Sequence, residues 1–286
     1  MDAESLGRYG AYLPAQAYSR SLASRVKALE DLGYGAIWIA GNAPADLTIP
    51  ESILAQTHSV AVGTAIVNVW TEPANEVAAS FHRLENRYPG RLLLGVGIGH
   101  RETNGDAYPK PIQTLSAYVD KLVELGVPGN RVILAALRTR VLQLFGDKAA
   151  GALAYFTTVE HTKKVRATLG ADRILSVVQI VATGADRAAN RSTAREYSER
   201  YLGLQKYVNN LRATGYPHLR VGDYPSDELL DALIPFGGPE ATLGRIREHV
   251  QAGADHVPVL PIPLGEDPLY AFESIAAGLQ SFQEFR

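Results

Sequence analysis

The sequence contains no cysteine among its 286 residues, and only one methionine and two tryptophans. The lack of cysteine excludes disulfides, thiolate metal ligands and cysteine nucleophiles. The first ten residues, MDAESLGRYG, show neither the basic segment nor the apolar segment of a secretory signal. No apolar run approaches the roughly 20 residues that a membrane-spanning helix requires. We therefore expect a cytoplasmic protein that has no membrane partner.

Charge of one sign is not concentrated anywhere along the chain, and the formal net charge is −2. This balance disfavours a nucleic-acid or anionic-membrane partner and leaves a small-molecule substrate as the expected partner. The seven histidines lack the H-x-x-x-H and H-E-x-x-H spacings of metal sites. No G-x-S-x-G occurs, so neither a metal centre nor a serine hydrolase is predicted.

Short apolar runs rich in Val, Ile and Leu recur along the chain and alternate with helical patterns. Such runs are typical of strands buried on both faces of a parallel sheet. The predicted strands are 8–13, 36–40, 60–69, 91–98, 131–137, 151–157, 173–182 and 256–260. The predicted helices between them include 19–33, 72–90, 111–126, 160–170 and 239–254. This alternation predicts either a closed (β/α)8 TIM barrel or a doubly wound sheet.

The interval 183–255, between the seventh and eighth predicted strands, breaks the alternation. Its patterns predict one long helical stretch over 186–215 and a second over 226–234. We therefore predict a single domain over 1–286 with a helical insertion at about 183–235, on the face where barrels carry active sites. Prolines at 258, 261 and 263 predict that the eighth strand is short.

The stretch RLLLGVGIGH, residues 91–100, carries alternating glycines that suggest a dinucleotide-binding fingerprint. However, His100 stands where the third fingerprint glycine belongs, and the next helical pattern begins only near 111. We therefore favour a barrel, with His100 at the C-terminal end of the fourth strand, where catalytic residues cluster. The glycines would let either a ligand or a neighbouring backbone come close.

Three segments in order, GYGAIWIAGN, VAVGTAIVNVWTEPANEVAASFHRLENRYPGRLLLGVGIG and EATLGRIREHVQAGADHV, resemble the bacterial luciferase-like superfamily. The resemblance spans about 8–280 and is closest to the coenzyme F420-dependent oxidoreductases. It implies a (β/α)8 barrel that binds F420, or FMN in other branches, at its C-terminal face, often as a homodimer. The implied activity is hydride transfer between F420 and an unidentified organic substrate. The alternatives are an FMN-dependent monooxygenase and a barrel that binds a cofactor or ligand without turnover.

The resemblance also implies a cofactor site. The segment GTAIV matches a third-strand bulge that backs the deazaflavin ring, where relatives often have a cis peptide bond, here between Ala65 and Ile66. The segment 133–146 matches a phosphate-binding turn, where free N–H groups at a helix start would face a phosphate; the alternative is a surface helix with solvated arginines. The implied cofactor-binding residues are Ala65, Ile66, Gly99, Ala136, Leu137, Arg138, Thr139 and Tyr155.

The sequence departs from these relatives where they carry their acid–base residues. An Asp-His pair often ends the second strand, but Gly41 and Asn42 stand there. Some members have a glutamate where this chain has His100. His100 is our first catalytic candidate, as a proton or hydrogen-bond donor, or else it only fixes a loop. Asn42 is the second; it can hydrogen-bond a cofactor carbonyl but cannot transfer protons, and a structural role in its turn is the alternative.

Overall fold

Eight parallel strands close into a barrel in chain order, and the last strand pairs with the first. These strands come from a computed structural model that describes residues 3–15, 25–104, 110–135, 141, 148–184, 186–263 and 268–283. They are Tyr9–Pro14 (β1), Ala36–Asn42 (β2), Ala61–Asn68 (β3), Leu92–Gly97 (β4), Val132–Leu134 (β5), Gly151–Tyr155 (β6), Ile174–Ala182 (β7) and Val257–Ile262 (β8). The predicted (β/α)8 barrel is confirmed, and the doubly wound sheet is excluded.

Helices follow the strands around the outside of the barrel. Those described are Ala3–Leu6 (α1), Val26–Asp31 (α2), Thr48–Gln56 (α3), Ala74–Arg87 (α4), Arg101–Asn104 (α5), Pro111–Glu124 (α6), Val159–Leu169 (α7), Arg187–Leu202 (α8), Gln205–Arg212 (α9), Asp227–Leu233 (α10), Pro239–Gln251 (α11) and Pro268–Gln283 (α12). The first part of the predicted helix 19–33 lies outside the described residues. Within the described part of the chain, no helix is long and apolar enough to cross a membrane.

The insertion after β7 consists of α8, α9 and α10 and is helical, as predicted. The prediction of one long helical stretch over 186–215 is wrong, because α8 ends at Leu202 and Leu204 adopts an extended conformation. Side chains at the preceding residues cap two of these helices. The Asp186 carboxylate accepts from the N–H of Ala188 at 2.7 Å, and the Ser226 hydroxyl accepts from the N–H of Leu229 at 3.2 Å.

Strand β8 has six residues and includes Pro258 and Pro261, so the prediction of a short strand is wrong. Each proline removes only one N–H donor from the ladder. Strand pairing with β1 on one side and β7 on the other holds the remaining residues in register. The burial of every residue of β8 adds hydrophobic stabilisation that offsets the lost hydrogen bonds.

A buried Trp–His pair fills the part of the core between β1, β2 and β8. The indole N–H of Trp38 donates to Nε2 of His256 at 2.9 Å, and Nδ1 of His256 donates to the carbonyl of Gly7 at 2.7 Å. A Cβ on Gly10 would lie 2.6 Å from this imidazole, so only glycine fits there. Burial lowers the pKa of His256 to about 4, and the imidazole is therefore neutral at neutral pH.

This pair predicts a specific acid sensitivity of the fold. Protonating His256 would place a second N–H against the indole donor, and its folded-state pKa of about 4 lies below the ordinary value of 6.5. The unfolded chain therefore binds more protons between these values, and stability falls as pH falls. We expect this histidine to contribute a loss of about 1.4 kcal/mol per pH unit to the free energy of unfolding.

Urea unfolding of the wild-type protein and of His256→Asn between pH 6.5 and 4.5 isolates this contribution. Carboxylates titrate in both proteins, so only the difference between the two slopes reports the histidine. The variant should be less stable at pH 6.5, and its free energy of unfolding should fall less steeply as the pH is lowered. Parallel slopes would contradict a neutral, buried His256.

Candidate active site at the C-terminal mouth of the barrel

A cavity of about 160 Å³ lies where the strands meet the insertion. Its aliphatic wall comes from the ends of strands and consists of Ala40, Gly41, Ala65, Ile66, Ala135 and Leu153. Its polar, mostly aromatic wall, called here the aromatic wall, consists of Tyr12, His100, Tyr155, Tyr201, Lys206 and Tyr207. Four predicted site residues, Ala65, Ile66, His100 and Tyr155, therefore line one cavity.

A bulge in β3 shapes the aliphatic wall. The pairing of β3 with β4 shifts register between Gly63 and Val67, which turns the side chains of the intervening residues. The backbones are tightly apposed here, because a Cβ on Gly95 would lie 2.0 Å from the carbonyl oxygen of Thr64. The N–H of Gly95 donates to the Thr64 hydroxyl at 2.9 Å. Gly95 thus accommodates a neighbouring backbone, one of the two roles predicted for these glycines.

The peptide bond between Ala65 and Ile66 is trans. Among the described residues the only cis bond joins Ile262 to Pro263, so this chain lacks the cis bond that relatives often have at this position. The register shift already bends the strand at this point, and the bond keeps the trans form, which a non-proline residue favours by about 3–4 kcal/mol.

A tight turn after β4 places His100 in the aromatic wall. Gly99 has φ of +59°, a left-handed conformation that favours glycine, and it precedes His100 without lining the cavity itself. The indole N–H of Trp70, in the turn after β3, donates to the carbonyl of Ile98 at 3.0 Å and connects the two turns. The His100 ring then lies 5.4 Å from the ring of Tyr207.

The environment of His100 keeps its imidazole neutral. Burial, with the positive charge of Lys206, lowers the pKa of His100 to about 4, and the carboxylate of Glu102 opposes this shift. At neutral pH the side chain therefore acts as an uncharged hydrogen-bonding group. It is not a charged imidazolium that could give up a proton at neutral pH. Of the two catalytic roles predicted for His100, hydrogen-bond donor is therefore favoured over proton donor.

Phe156 fixes the insertion over the cavity. This buried residue has φ of +54°, an unusual conformation for a phenylalanine that costs about 1–3 kcal/mol. Its ring stacks on Tyr201 of α8 with centroids 5.0 Å apart, and it meets Tyr207 of α9 edge-on at 5.6 Å. The end of β6 thereby sets the position of both inserted helices relative to the barrel.

Three phenol hydroxyls meet at the edge of the cavity. The hydroxyl of Tyr155 hydrogen-bonds to that of Tyr197 and lies 3.1 Å from that of Tyr201. The hydroxyls of Tyr197 and Tyr201 are 3.3 Å apart. Burial raises the pKa of Tyr155 and of Tyr197 well above the ordinary value of 10. These two groups therefore stay protonated and serve as hydrogen-bond donors.

The turn after β4 also contacts the insertion directly. The carboxylate of Glu102 accepts from the N–H of Gln205, the first residue of α9, at 3.1 Å. A carboxylate at a helix N-terminus is favourable, because it satisfies a backbone N–H and interacts with the positive end of the helix dipole. The same contact brings Lys206 towards His100, and Lys206 is the only charged side chain among the described lining residues.

The remaining predicted residues lie elsewhere. Asn42 ends β2, pairs with Ile66 and is exposed, and it is not among the lining residues. Ala136, Leu137, Arg138 and Thr139, the predicted phosphate turn, lie outside the described residues. Sequence analysis missed Tyr12, Tyr201, Lys206 and Tyr207. The one available signal was the spacing of Tyr197 and Tyr201, which places them on one face of a helix within the inserted segment.

Comparison with known proteins identifies the family. The sequence profile of the luciferase-like monooxygenase family matches residues 5–256, and the chain belongs to this family. The curated relative YwcH, an uncharacterized protein of Bacillus subtilis (strain 168), is 31% identical over 120 residues, 34% of this chain and 35% of that protein. The match spans about a third of the relative's length.

Solved structures of similar fold include proteins with either cofactor. A coenzyme F420-dependent tetrahydromethanopterin reductase from Methanopyrus kandleri has a TM-score of 0.74 at 14% identity, over 94% of this chain and 97% of that one. An F420-dependent secondary alcohol dehydrogenase has a TM-score of 0.71 at 13% identity, over 97% and 98%. The oxygenating constituent of 3,6-diketocamphane monooxygenase from Pseudomonas putida, in complex with FMN, has a TM-score of 0.67 at 12% identity, over 95% and 96%.

The charges around His100 predict its titration. We expect the imidazole signals of His100 to move with a midpoint near 4 in an NMR pH titration of the protein. Lys206→Met should raise this pKa, because it removes a positive charge that disfavours the imidazolium. Glu102→Gln should lower it, because it removes a favourable negative charge.

The pair of variants serves as an internal control, since the two shifts must have opposite signs. His100→Gln assigns the resonance. A midpoint above 6 in the wild-type protein, or shifts of the same sign in both variants, would contradict the environment described for His100.

Proposed function

We propose that this protein is a coenzyme F420-dependent oxidoreductase that transfers a hydride between F420 and an organic substrate at the mouth of the barrel. The observation that carries the proposal is the two-sided cavity on the face where barrels hold active sites. Its aliphatic wall suits a flat ring, and its aromatic wall supplies hydrogen-bond donors. No carboxylate or cysteine stands among the described lining residues, so the reactive chemistry is expected to come from a cofactor.

The aliphatic wall fits the ring portion of a flavin-type cofactor. The bulge residues Ala65 and Ile66 are small to medium in size and apolar, and Ala40 and Ala135 on the neighbouring strands also line the cavity. A Cβ built on Gly41 would meet nothing within 4 Å, so open space lies beside this part of the wall. A planar ring can therefore approach the strand ends closely. The predicted phosphate-binding residues lie outside the described residues.

The residues that line the cavity would bind and orient the cofactor and the substrate. They would not carry out acid–base chemistry on their own. The chemistry that F420 would supply when bound is the donation or acceptance of a hydride. The neutral imidazole of His100 and the hydroxyls of Tyr155 and Tyr201 would hold oxygen atoms of the substrate by donating hydrogen bonds. The helices of the insertion, fixed by Phe156, would exclude water from the cavity.

Two kinds of similarity bear on the cofactor. The two F420-dependent structures, with TM-scores of 0.74 and 0.71, support F420. The monooxygenase description of the family and the FMN complex among the similar folds favour the second candidate, an FMN-dependent monooxygenase. A barrel that binds without turnover remains the third outcome to be tested.

A binding titration separates these candidates. The purified protein is titrated with oxidised F420 and with FMN, and cofactor fluorescence is followed. We expect saturable binding of F420 and none of FMN. Binding of FMN alone would replace the first candidate by the second, and binding of neither would reject both cofactor-dependent functions.

A pair of variants locates the binding site. Ala135→Phe places a large side chain in the space beside the aliphatic wall and should weaken F420 binding by about tenfold or more. A tenfold loss of affinity corresponds to roughly 1.4 kcal/mol of binding free energy. Ala150→Phe makes the same change at a half-buried alanine at the opposite end of the barrel and should leave F420 affinity unchanged. Equal effects of the two substitutions would indicate general disruption rather than a site at the mouth.

A further inference from the structure

Lys206 is the one charged side chain among the described residues of the aromatic wall, and its place in its helix is unusual. It is the second residue of α9, directly after Gln205, whose N–H donates to the Glu102 carboxylate at 3.1 Å. A cation in the first turn of a helix faces the positive end of the helix dipole, which is unfavourable. The stability of α9 therefore does not account for a lysine at this position, whereas a role in the cavity that it lines would.

His100 reports the electrostatic potential at this wall. Its ring lies 5.4 Å from the ring of Tyr207, and the ammonium of Lys206 lies 6.0 Å from that same ring. Burial and then the positive charge of Lys206 lower the pKa of His100 to about 4, and the carboxylate of Glu102 opposes them with a smaller effect than that of Lys206. The two charged side chains together therefore produce a positive potential at this point of the wall.

The other titratable groups that face the cavity do not cancel this charge. They are phenols from β1, β6, α8 and α9, namely Tyr12, Tyr155, Tyr201 and Tyr207. Burial raises the pKa values of Tyr12, Tyr155 and Tyr207, so these three stay protonated and uncharged. The remaining described lining residues are aliphatic or glycine and include no carboxylate. A negative charge on a bound ring is therefore stabilised in this cavity, and a positive charge is not.

The two candidate cofactors differ in the charge of their rings. The oxidised ring of F420 carries a hydroxyl that loses its proton near neutral pH, because conjugation spreads the negative charge over the ring nitrogens and carbonyl oxygens. The oxidised ring of FMN has a methyl group in place of this hydroxyl and is uncharged at neutral pH. A positively charged wall can therefore discriminate between two rings of nearly the same size and shape, whereas an aliphatic wall cannot.

We infer that Lys206 is a specificity-determining residue, which favours the ionised ring of oxidised F420 over the uncharged ring of FMN by placing a positive charge in the wall of the cavity. Lys206 acts on the charge of the ring and does not transfer a proton. This role rests on the proposed function, because it assigns the residue by which the same site selects its cofactor. Lys206 then contributes to affinity only when the ring is ionised, a dependence on pH that a purely structural lysine does not produce.

The visible absorbance of F420, which changes when its ring ionises, measures this preference. F420 is mixed with saturating wild-type protein and titrated between pH 5 and 8.5, with free F420 as the reference. We expect the apparent pKa of the bound ring to be lower by about one unit, because an opposite charge nearby favours the ionised form. Lys206 is half-buried, so solvent screens part of its charge and limits the shift. The imidazole of His100 stays mostly neutral across this range.

Variants assign the shift to Lys206. Lys206→Met should return the pKa of the bound ring towards that of free F420, and Lys206→Arg, which keeps the charge, should retain the wild-type value. Glu102→Gln removes an opposing charge and should lower the pKa of the ring further. Lys121→Met, at an exposed lysine of α6 outside the lining of the cavity, is the matched control and should leave this pKa unchanged.

Affinity at two pH values separates a charge effect from a structural one. At pH 8 the ring is ionised, and Lys206→Met should bind F420 about three- to tenfold more weakly than the wild-type protein, the loss that corresponds to the change in the pKa of the ring. At pH 5, where most of the ring is protonated, the difference should shrink to about twofold or less. An equal loss at both pH values would indicate a structural role of the lysine and would overturn the inference.

Failure of the specificity role is distinguishable from failure of the proposed function. If F420 binds but its ring has the same pKa as in solution, the proposed function stands and Lys206 is not the specificity residue. Equal shifts in Lys206→Met and Lys121→Met lead to the same conclusion. If the wild-type protein binds F420 at neither pH, the proposed F420-dependent function fails, and the role of Lys206 is rejected with it.

Discussion

The close approach of β3 and β4 at Thr64 and Gly95 is the constraint on which the mouth of this barrel depends. No side chain fits at Gly95 because the carbonyl of Thr64 occupies that space. The bulge that results presents Ala65 and Ile66 to the cavity. The same strand β4 continues into the turn that carries His100. One backbone contact therefore positions the aliphatic wall and one member of the aromatic wall together.

The second wall depends on a long-range contact of a different kind. Phe156 directly follows β6 in a left-handed conformation, and its ring packs against Tyr201 of α8 and Tyr207 of α9. Glu102 reinforces this arrangement from the β4 side by capping α9. The insertion is thus held from two strands of the barrel, and the phenols, the imidazole and Lys206 converge on one cavity with no described carboxylate in its lining.

The barrel can be predicted from the sequence because its strands are buried on both faces and read as short apolar runs. The position of His100 follows from the same pattern, since a strand end in a barrel fixes where the next residue lies. The aromatic wall cannot be predicted this way. Tyr12, Tyr155 and Tyr207 are far apart in sequence and become neighbours only after the barrel closes and the insertion folds over it.

Local backbone features account for the other differences. The chain leaves the helical conformation at Leu204, which is extended, and the helical periodicity of the sequence does not reveal this. Helix α9 then begins at Gln205, whose N–H donates to the Glu102 carboxylate. The bond between Ala65 and Ile66 is trans, and the register shift of β3 falls at the same residues. Asn42 is exposed because the last two residues of β2 extend beyond the buried part of the strand. Residue propensities do not predict where along a strand burial ends.

The central claim is that the walls at the mouth of the barrel form the cofactor site. Hydrogen–deuterium exchange of the backbone amides, measured with and without saturating F420, tests this most directly. We expect slower exchange on binding in 98–104 and 197–207, which carry the two sides of the aromatic wall, and no change in 169–174 at the opposite end of the barrel. Protection confined to 169–174, or unchanged exchange at the mouth while F420 is bound, would contradict it.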